Sequence, residues 1–110
     1  MAITNMIRRK YTFSFGATDT SKNTSIDFTG KLAQIHVRVP NWTNDVTCTV
    51  KIKDVDDYVI YDSGAKSRNA NYNLAVDQIV DDECKIELTL SGAPGGSGGS
   101  VVVVFWSHGE

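Results

Sequence analysis

The sequence predicts an all-β domain: an antiparallel β-sandwich or flattened barrel of about seven to eight strands with an N-terminal arm. Three observations carry this. Apolar side chains recur at every second position in segment after segment, the period of a strand with one wet face. Clusters of Gly, Pro, Asn, Asp and Ser separate those segments at short intervals, as turns do in all-β folds. No stretch combines the length and the 3.6-residue apolar period of a helix.

Residues 1–9 have no clean period and read as an arm that orders on a partner, which leaves residues 10–110 as the sandwich domain. The first strand runs over residues 10–16, with Tyr11, Phe13 and Phe15 on one side and Thr12 and Ser14 on the other. Residues 17–24 are turn chemistry throughout and read as a loop. A short strand at residues 25–29 points Ile26 and Phe28 inward, and Gly30-Lys31 makes a turn or bulge. Residues 32–39 follow with Ile35, Val37 and Val39 inside and Gln34, His36 and Arg38 outside. Pro40 to Asp45 breaks the ladder, because proline has no N–H to give it, and leaves Trp42 on a polar loop.

Residues 46–53 hold the cleanest alternation, with Val46, Cys48, Val50 and Ile52 against Thr47, Thr49, Lys51 and Lys53. A turn at residues 54–57 joins them to a short strand at residues 58–61, a second hairpin. Residues 66–73 are polar, and residues 74–80 form a weak strand or a loop that lays Leu74, Val76 and Ile79 on the core. The most apolar part comes last. Residues 84–90 alternate, residues 91–100 contain five glycines and a proline, and residues 101–106 (Val-Val-Val-Val-Phe-Trp) suit a strand covered on both faces. This reads as a hairpin at the centre of the fold.

At 110 residues the chain fits one domain, burying roughly two thirds of the surface its unfolded form exposes. A formal charge of −2 argues against a nucleic-acid partner held by long-range attraction to phosphates. No run of about eighteen apolar residues is present to span a bilayer as a helix, and residues 1–7 lack a charged start followed by an apolar core. The expectation is a protein made in a cytoplasm, with no membrane and no nucleic acid among its partners. Cys48 and Cys84 both fall on predicted inward faces and are expected as buried free thiols.

No catalytic constellation emerges. His36 lies on the polar face of a strand and His108 near the end, with no nucleophile patterned beside either. The glycines of residues 92–99 lack the lysine and hydroxyl of a phosphate-binding loop. Asp54, Asp56 and Asp57, and again Asp81, Asp82 and Glu83, read as solvated turns rather than as a calcium loop, whose spacing they do not match. The expected catalytic, cofactor and metal sites are therefore none, and the chain is not expected to be an enzyme. Trp42 stands out, since a large aromatic on a polar loop suits an interface, a sugar platform or a lid on its own sheet.

The strand Thr47-Cys48-Thr49-Val50-Lys51-Ile52-Lys53-Asp54, the hairpin Val59-Ile60-Tyr61-Asp62-Ser63-Gly64 and the stretch from Leu88 to Val104 together resemble small structural proteins of tailed-phage virions. Capsid decoration (cement) proteins are the nearest type. The resemblance implies a homotrimer on the capsid exterior that clamps the major capsid protein lattice. Many weak contacts formed only in the assembled shell would then add to its stability. Its interface candidates are Ile3, Met6, Ile7, Arg8 and Arg9 of the arm, with Trp42, Asn71 and Tyr72. The alternatives are a tail or neck adaptor or fibre module, and a carbohydrate-binding domain stacking sugars on Trp42 and Tyr72.

Overall fold

The computed structural model of the chain describes residues 6–109. Eight strands follow in order: β1 (Met6–Phe15), β2 (Ser21–Ser25), β3 (Gly30–Val39), β4 (Cys48–Lys53), β5 (Val59–Lys66), β6 (Ala70–Val80), β7 (Lys85–Leu90) and β8 (Gly99–Gly109). They form two four-stranded antiparallel sheets, one ordered β1-β8-β3-β6 and the other β2-β7-β4-β5. The sheets pack as an open sandwich and do not close into a barrel.

Each strand pairs with its mirror image about the β4–β5 turn: β1 with β8, β2 with β7, β3 with β6 and β4 with β5. The chain is thus one long hairpin, rolled up so that β8 also pairs with β3 and β7 with β4. This is the strand order of the double-sheet jelly roll. The chain changes sheet at every connection except β4–β5.

That topology corrects the expected C-terminal hairpin. Residues 84–90 and 101–106 are strands, but β7 and β8 lie in different sheets and do not pair. Alternation identifies a strand without naming its partner. The glycine-rich segment between them is a sheet-to-sheet crossover held by the opposite loops: the Gly95 N–H donates to the Ala17 carbonyl, and the Asn44 N–H to that of Pro94.

Three other expectations shift. The strand placed at residues 25–29 forms instead at Ser21–Ser25, whose polar residues gain their ladder from β7, while Ile26 and Phe28 drop into the core from the following loop. The weak segment before residue 80 is an eleven-residue edge strand, β6. Its Ile79, expected on the core, points out and is 70% exposed. The irregularity in β3 falls at Ala33 rather than at Gly30-Lys31. This bulge lets Leu32 and Ile35, three residues apart, both face inward.

The core fills the space between the two inner faces. Phe13, Phe15, Ile35, Val37, Val101, Val103 and Phe105 meet Cys48, Val50, Ile52, Ile86 and Leu88, all buried. Toward the end away from Trp42, Phe105 is fully buried, with Tyr11 and Phe28 edge-on to it at 5.5 and 6.4 Å between ring centroids. At that end of the sandwich the Tyr11 hydroxyl donates to Asp27 at 2.9 Å. Cys48 and Cys84 are buried free thiols.

The crossover enters β8 through Gly98, which has φ +71°, and a Cβ there would collide with the Phe15 carbonyl oxygen. That oxygen belongs to the last residue of β1, paired with Gly99, so it has no room to withdraw. Gly98→Ala is expected to cost ~2–5 kcal/mol from backbone strain and overpacking together, read as a lower denaturant midpoint.

Burial pushes the Cys48 thiol up to about 12; burial, with the hydrogen bond to Asp27, also pushes the Tyr11 phenol up to about 12. Both groups are neutral when protonated, and unfolding returns them to roughly 8.5 and 10. Between those values and about 12 the folded chain holds more protons than the unfolded one, so stability falls as pH rises through this window. Denaturation midpoints should be level up to about pH 8.5 and then decline. The decline should be shallower in Cys48→Ala from its onset, and in Tyr11→Phe above about pH 10.

Candidate protein-docking face

Trp42 belongs to the core. It is 2% exposed, its indole Nε1 donates to the Val46 carbonyl at 3.2 Å, and its ring meets Phe15 edge-on at 6.2 Å. The loop folds inward because the end of a two-sheet sandwich needs a plug, and Arg68 ties it down by donating from Nη1 to the carbonyls of Trp42 and Thr43 at 2.7 and 2.8 Å. Of the three readings the sequence allowed, this is the lid on its own sheet, and the buried ring has no free face to offer a partner or a sugar. Tyr72 also points to the inner side, its hydroxyl donating to the Ser67 carbonyl at 3.0 Å with the Lys66 ammonium 5.5 Å from its ring centroid.

Of the residues expected as an arm, Met6 to Arg9 pair with His108 to Phe105 of β8; residues 1–5, Ile3 among them, lie outside the described residues. Ile7 and Arg9 take the inner side of β1. Arg9 caps the end of the core, its guanidinium carbon 5.3 Å from the Phe28 ring centroid and its Nη1 3.9 Å from Asp27. Arg8 and Asn71 alone among the candidates with described side chains reach the outer face of the β1-β8-β3-β6 sheet.

That face is the molecule's most distinctive surface. Strand register sets three rows across it: Arg8, Trp106, Gln34 and Ala75; Lys10, Val104, His36 and Asn73; Thr12, Val102, Arg38 and Asn71. An apolar ridge of Val102, Val104 and Trp106 thus runs down the centre, with Arg8 and Lys10 on one flank and His36 and Arg38 on the other. Val104 points outward yet is only 1% exposed, hemmed in by its cross-strand neighbours Lys10 and His36. The Arg8 guanidinium carbon lies 5.8 Å from the Trp106 ring centroid, a distance at which a cation is drawn to an indole face. Asp77 is the one acid in this sheet's strands, and it is engaged by Lys31 at 2.8 Å. Arg8, Lys10 and Arg38 face no carboxylate within ion-pair distance among the described residues.

The opposite sheet is neutralised by its own side chains. Lys53 meets Glu87 at 3.2 Å and Lys85 meets Asp57 at 3.3 Å, while Lys51 sits across from Asp62 and Glu87 in the ladder. Sequence reasoning grouped Arg8 with its chain neighbours Arg9 and Lys10 but missed Arg38, Val104 and Trp106 as companions of Arg8. Their grouping depends on long-range strand pairing, and the only local sign was a strand apolar on both faces. No pocket opens among the described residues, and neither acidic turn gathers a set of side chains able to hold a metal ion there.

No family model matches the chain, and no curated protein matches it in sequence. Solved structures do. A protein of Bacillus endospore appendages, described as a family of disulfide-linked pili, covers 100% of this chain and 97% of its own at a TM-score of 0.57 and 11% identity. Drosophila NLP-core, described for pentamer formation and histone binding, covers 94% and 100% at 0.54 and 14%. The SPBc2 prophage-derived protein YomS covers 97% and 99% at 0.51 and 14%. The likeness is one of fold. At such identities it fixes the two-sheet architecture and leaves the chemistry of the faces to this chain's own residues.

Because Trp42 plugs the core, Trp42→Ala is expected to cost ~3–5 kcal/mol, measured by denaturant unfolding. Loss of retention on immobilised polysaccharide with an unchanged midpoint would restore the sugar-platform reading.

Proposed function

We propose that this protein is a structural component of a tailed-phage virion, a decoration protein on the capsid exterior that binds and stabilises the major capsid protein lattice. The observation that carries the reading is the outer face of the β1-β8-β3-β6 sheet. An apolar ridge flanked by cations that have no carboxylate partner among the described residues, where no pocket opens either, suits recognition of another protein surface rather than of a small molecule. The double-sheet jelly roll recurs in viral capsid and lectin domains, and a prophage-derived protein shares the fold; both support the reading as analogy. The resemblance of residues 47–64 and 88–104 to virion structural proteins points the same way.

Mechanistically the role is one of mass action. A protein that binds only the assembled, expanded shell adds its binding free energy to the stability of that shell, and many copies arrayed on a lattice add through multivalency. The copies are proposed to act as trimers.

The test is co-sedimentation with expanded capsids stripped of decoration. Wild-type protein should saturate the shells and raise the temperature at which they lose DNA. Arg8→Glu/Arg38→Glu should weaken the affinity for shells about tenfold, near 1.4 kcal/mol per site, with its solution stability unchanged. Absence of wild-type binding to shells, with recovery of the protein from purified tails, would move the assignment to a tail or neck adaptor.

A further inference from the structure

The end of the molecule opposite the Trp42 plug carries the complement of the docking face. Lys53 of β4 pairs with Lys85 of β7, so the β4–β5 tip, residues 54–58, and the β6–β7 turn, residues 81–84, leave their strands side by side. The Asp54 carboxylate is near enough to help raise the Cys84 thiol, whose upward shift is mainly one of burial. Together the two turns gather Asp54, Asp56, Asp57, Asp81, Asp82 and Glu83. Among the described residues only Asp57 of these is engaged by a cation, between Lys53 and Lys85.

The tip also carries exposed apolar bulk. Val55 is 64% and Tyr58 70% exposed, a small apolar pair within an acidic ring. The backbone holds them there. Asp54 Oδ1 accepts the N–H groups of Asp56 and Tyr58, both at 3.0 Å, and Asp57 turns the chain with φ +66°. The tip is therefore a shaped knob, and its pattern is the inverse of the ridge: apolar centre with acidic surround against apolar centre with basic surround.

We infer that the occupant of the β1-β8-β3-β6 face is the β4–β5 tip of a second copy of this chain, with Val55 and Tyr58 on Val102 and Trp106 and the acids toward Arg8, Lys10 and Arg38. The inference rests on the reading of that face as a docking surface and names its partner. Such a contact joins two different patches, so it propagates head to tail and either closes into a ring or runs on as a filament; closure at three copies makes the trimer. A five-residue knob buries less than the roughly 1,200 Å² of a stable interface. Association in free solution is thus weak, and strengthens where a lattice holds the copies close.

Disulfide trapping tests this at any affinity, because both native thiols are buried. Tyr58→Cys protein mixed with Arg38→Cys protein under mild oxidation, without shells, should give the mixed dimer in at least tenfold excess over a Tyr58→Cys and Ser21→Cys control pair. Asp56→Lys/Asp82→Lys added to the tip partner should cut the yield to the control level, and Lys10→Glu/Arg8→Glu added to the face partner should restore it. Mixed dimer at the control level would overturn the inference; if Arg8→Glu/Arg38→Glu still impaired shell binding, the face would dock on the shell directly and the functional reading would stand. Mixed dimer formed by a protein that never binds shells would uphold the inference and remove the capsid reading.

Discussion

The fold depends on the register of β8. This strand is central in its sheet, bonded to β1 on one side and β3 on the other, and it is apolar on both faces. A slip of one residue would exchange Val103 and Phe105 for Val102, Val104 and Trp106 in the core, and hydrophobicity alone barely opposes that. Geometry opposes it. Gly98 lies against the Phe15 carbonyl, where a Cβ does not fit, and a Cβ on Gly99 would press on Pro40. The bulge at Ala33 and the edge-on packing of Tyr11 and Phe28 around Phe105 fix the other end. The glycine-rich crossover is thus the device that sets register rather than slack chain.

Much of the sandwich was legible in residues whose two faces differ. β4, β7 and the C-terminal part of β3 alternate strictly because one side meets the opposite sheet and the other meets water, and their inward residues were all identified. The edge strands were harder. β2 is Ser-Lys-Asn-Thr-Ser, a strand only because β7 offers it a ladder, and β6 presents Asn71, Asn73, Ala75, Asp77 and Ile79 outward with half-buried residues inward as far as the buried Val80. Pairing lay beyond local pattern altogether, since β1 and β8 sit at opposite ends of the chain. For the same reason Arg8 could be noticed while its grouping with Arg38 and the Val102–Trp106 ridge could not. Trp42 stayed open for a different reason: polar neighbours in sequence leave an interface, a sugar platform and a lid on its own sheet all possible, and only the packing against Phe15 selects the lid.

The charge arrangement has a physical logic of its own. A chain with net charge −2 could scatter its ions, as the β2-β7-β4-β5 sheet does by pairing lysines with Asp57 and Glu87. Here, among the described residues, most acids without an ion-pair partner gather at one end and three such cations lie on one face. Within a monomer each group repels its like neighbours without compensation. Such separation is stabilising only when another surface brings the opposite sign, and across that contact desolvation strengthens the attraction that water would weaken.

The edges bear on how copies can associate. Jelly rolls leave their outer strands unpaired, and exposed ladders invite strand addition. This chain blunts each one. β1 carries Arg8 and Lys10, and β2 is only five residues long. β5 breaks register against β4 twice and turns through Gly64 at φ +74°, while β6 carries Asp77 ion-paired to Lys31. With strand addition discouraged on every edge, side-chain surfaces are left to carry association. The surface with an apolar centre and uncompensated charge is the outer face of the β1-β8-β3-β6 sheet, which is why the reading of this protein as an assembly component turns on that face and on the knob that complements it.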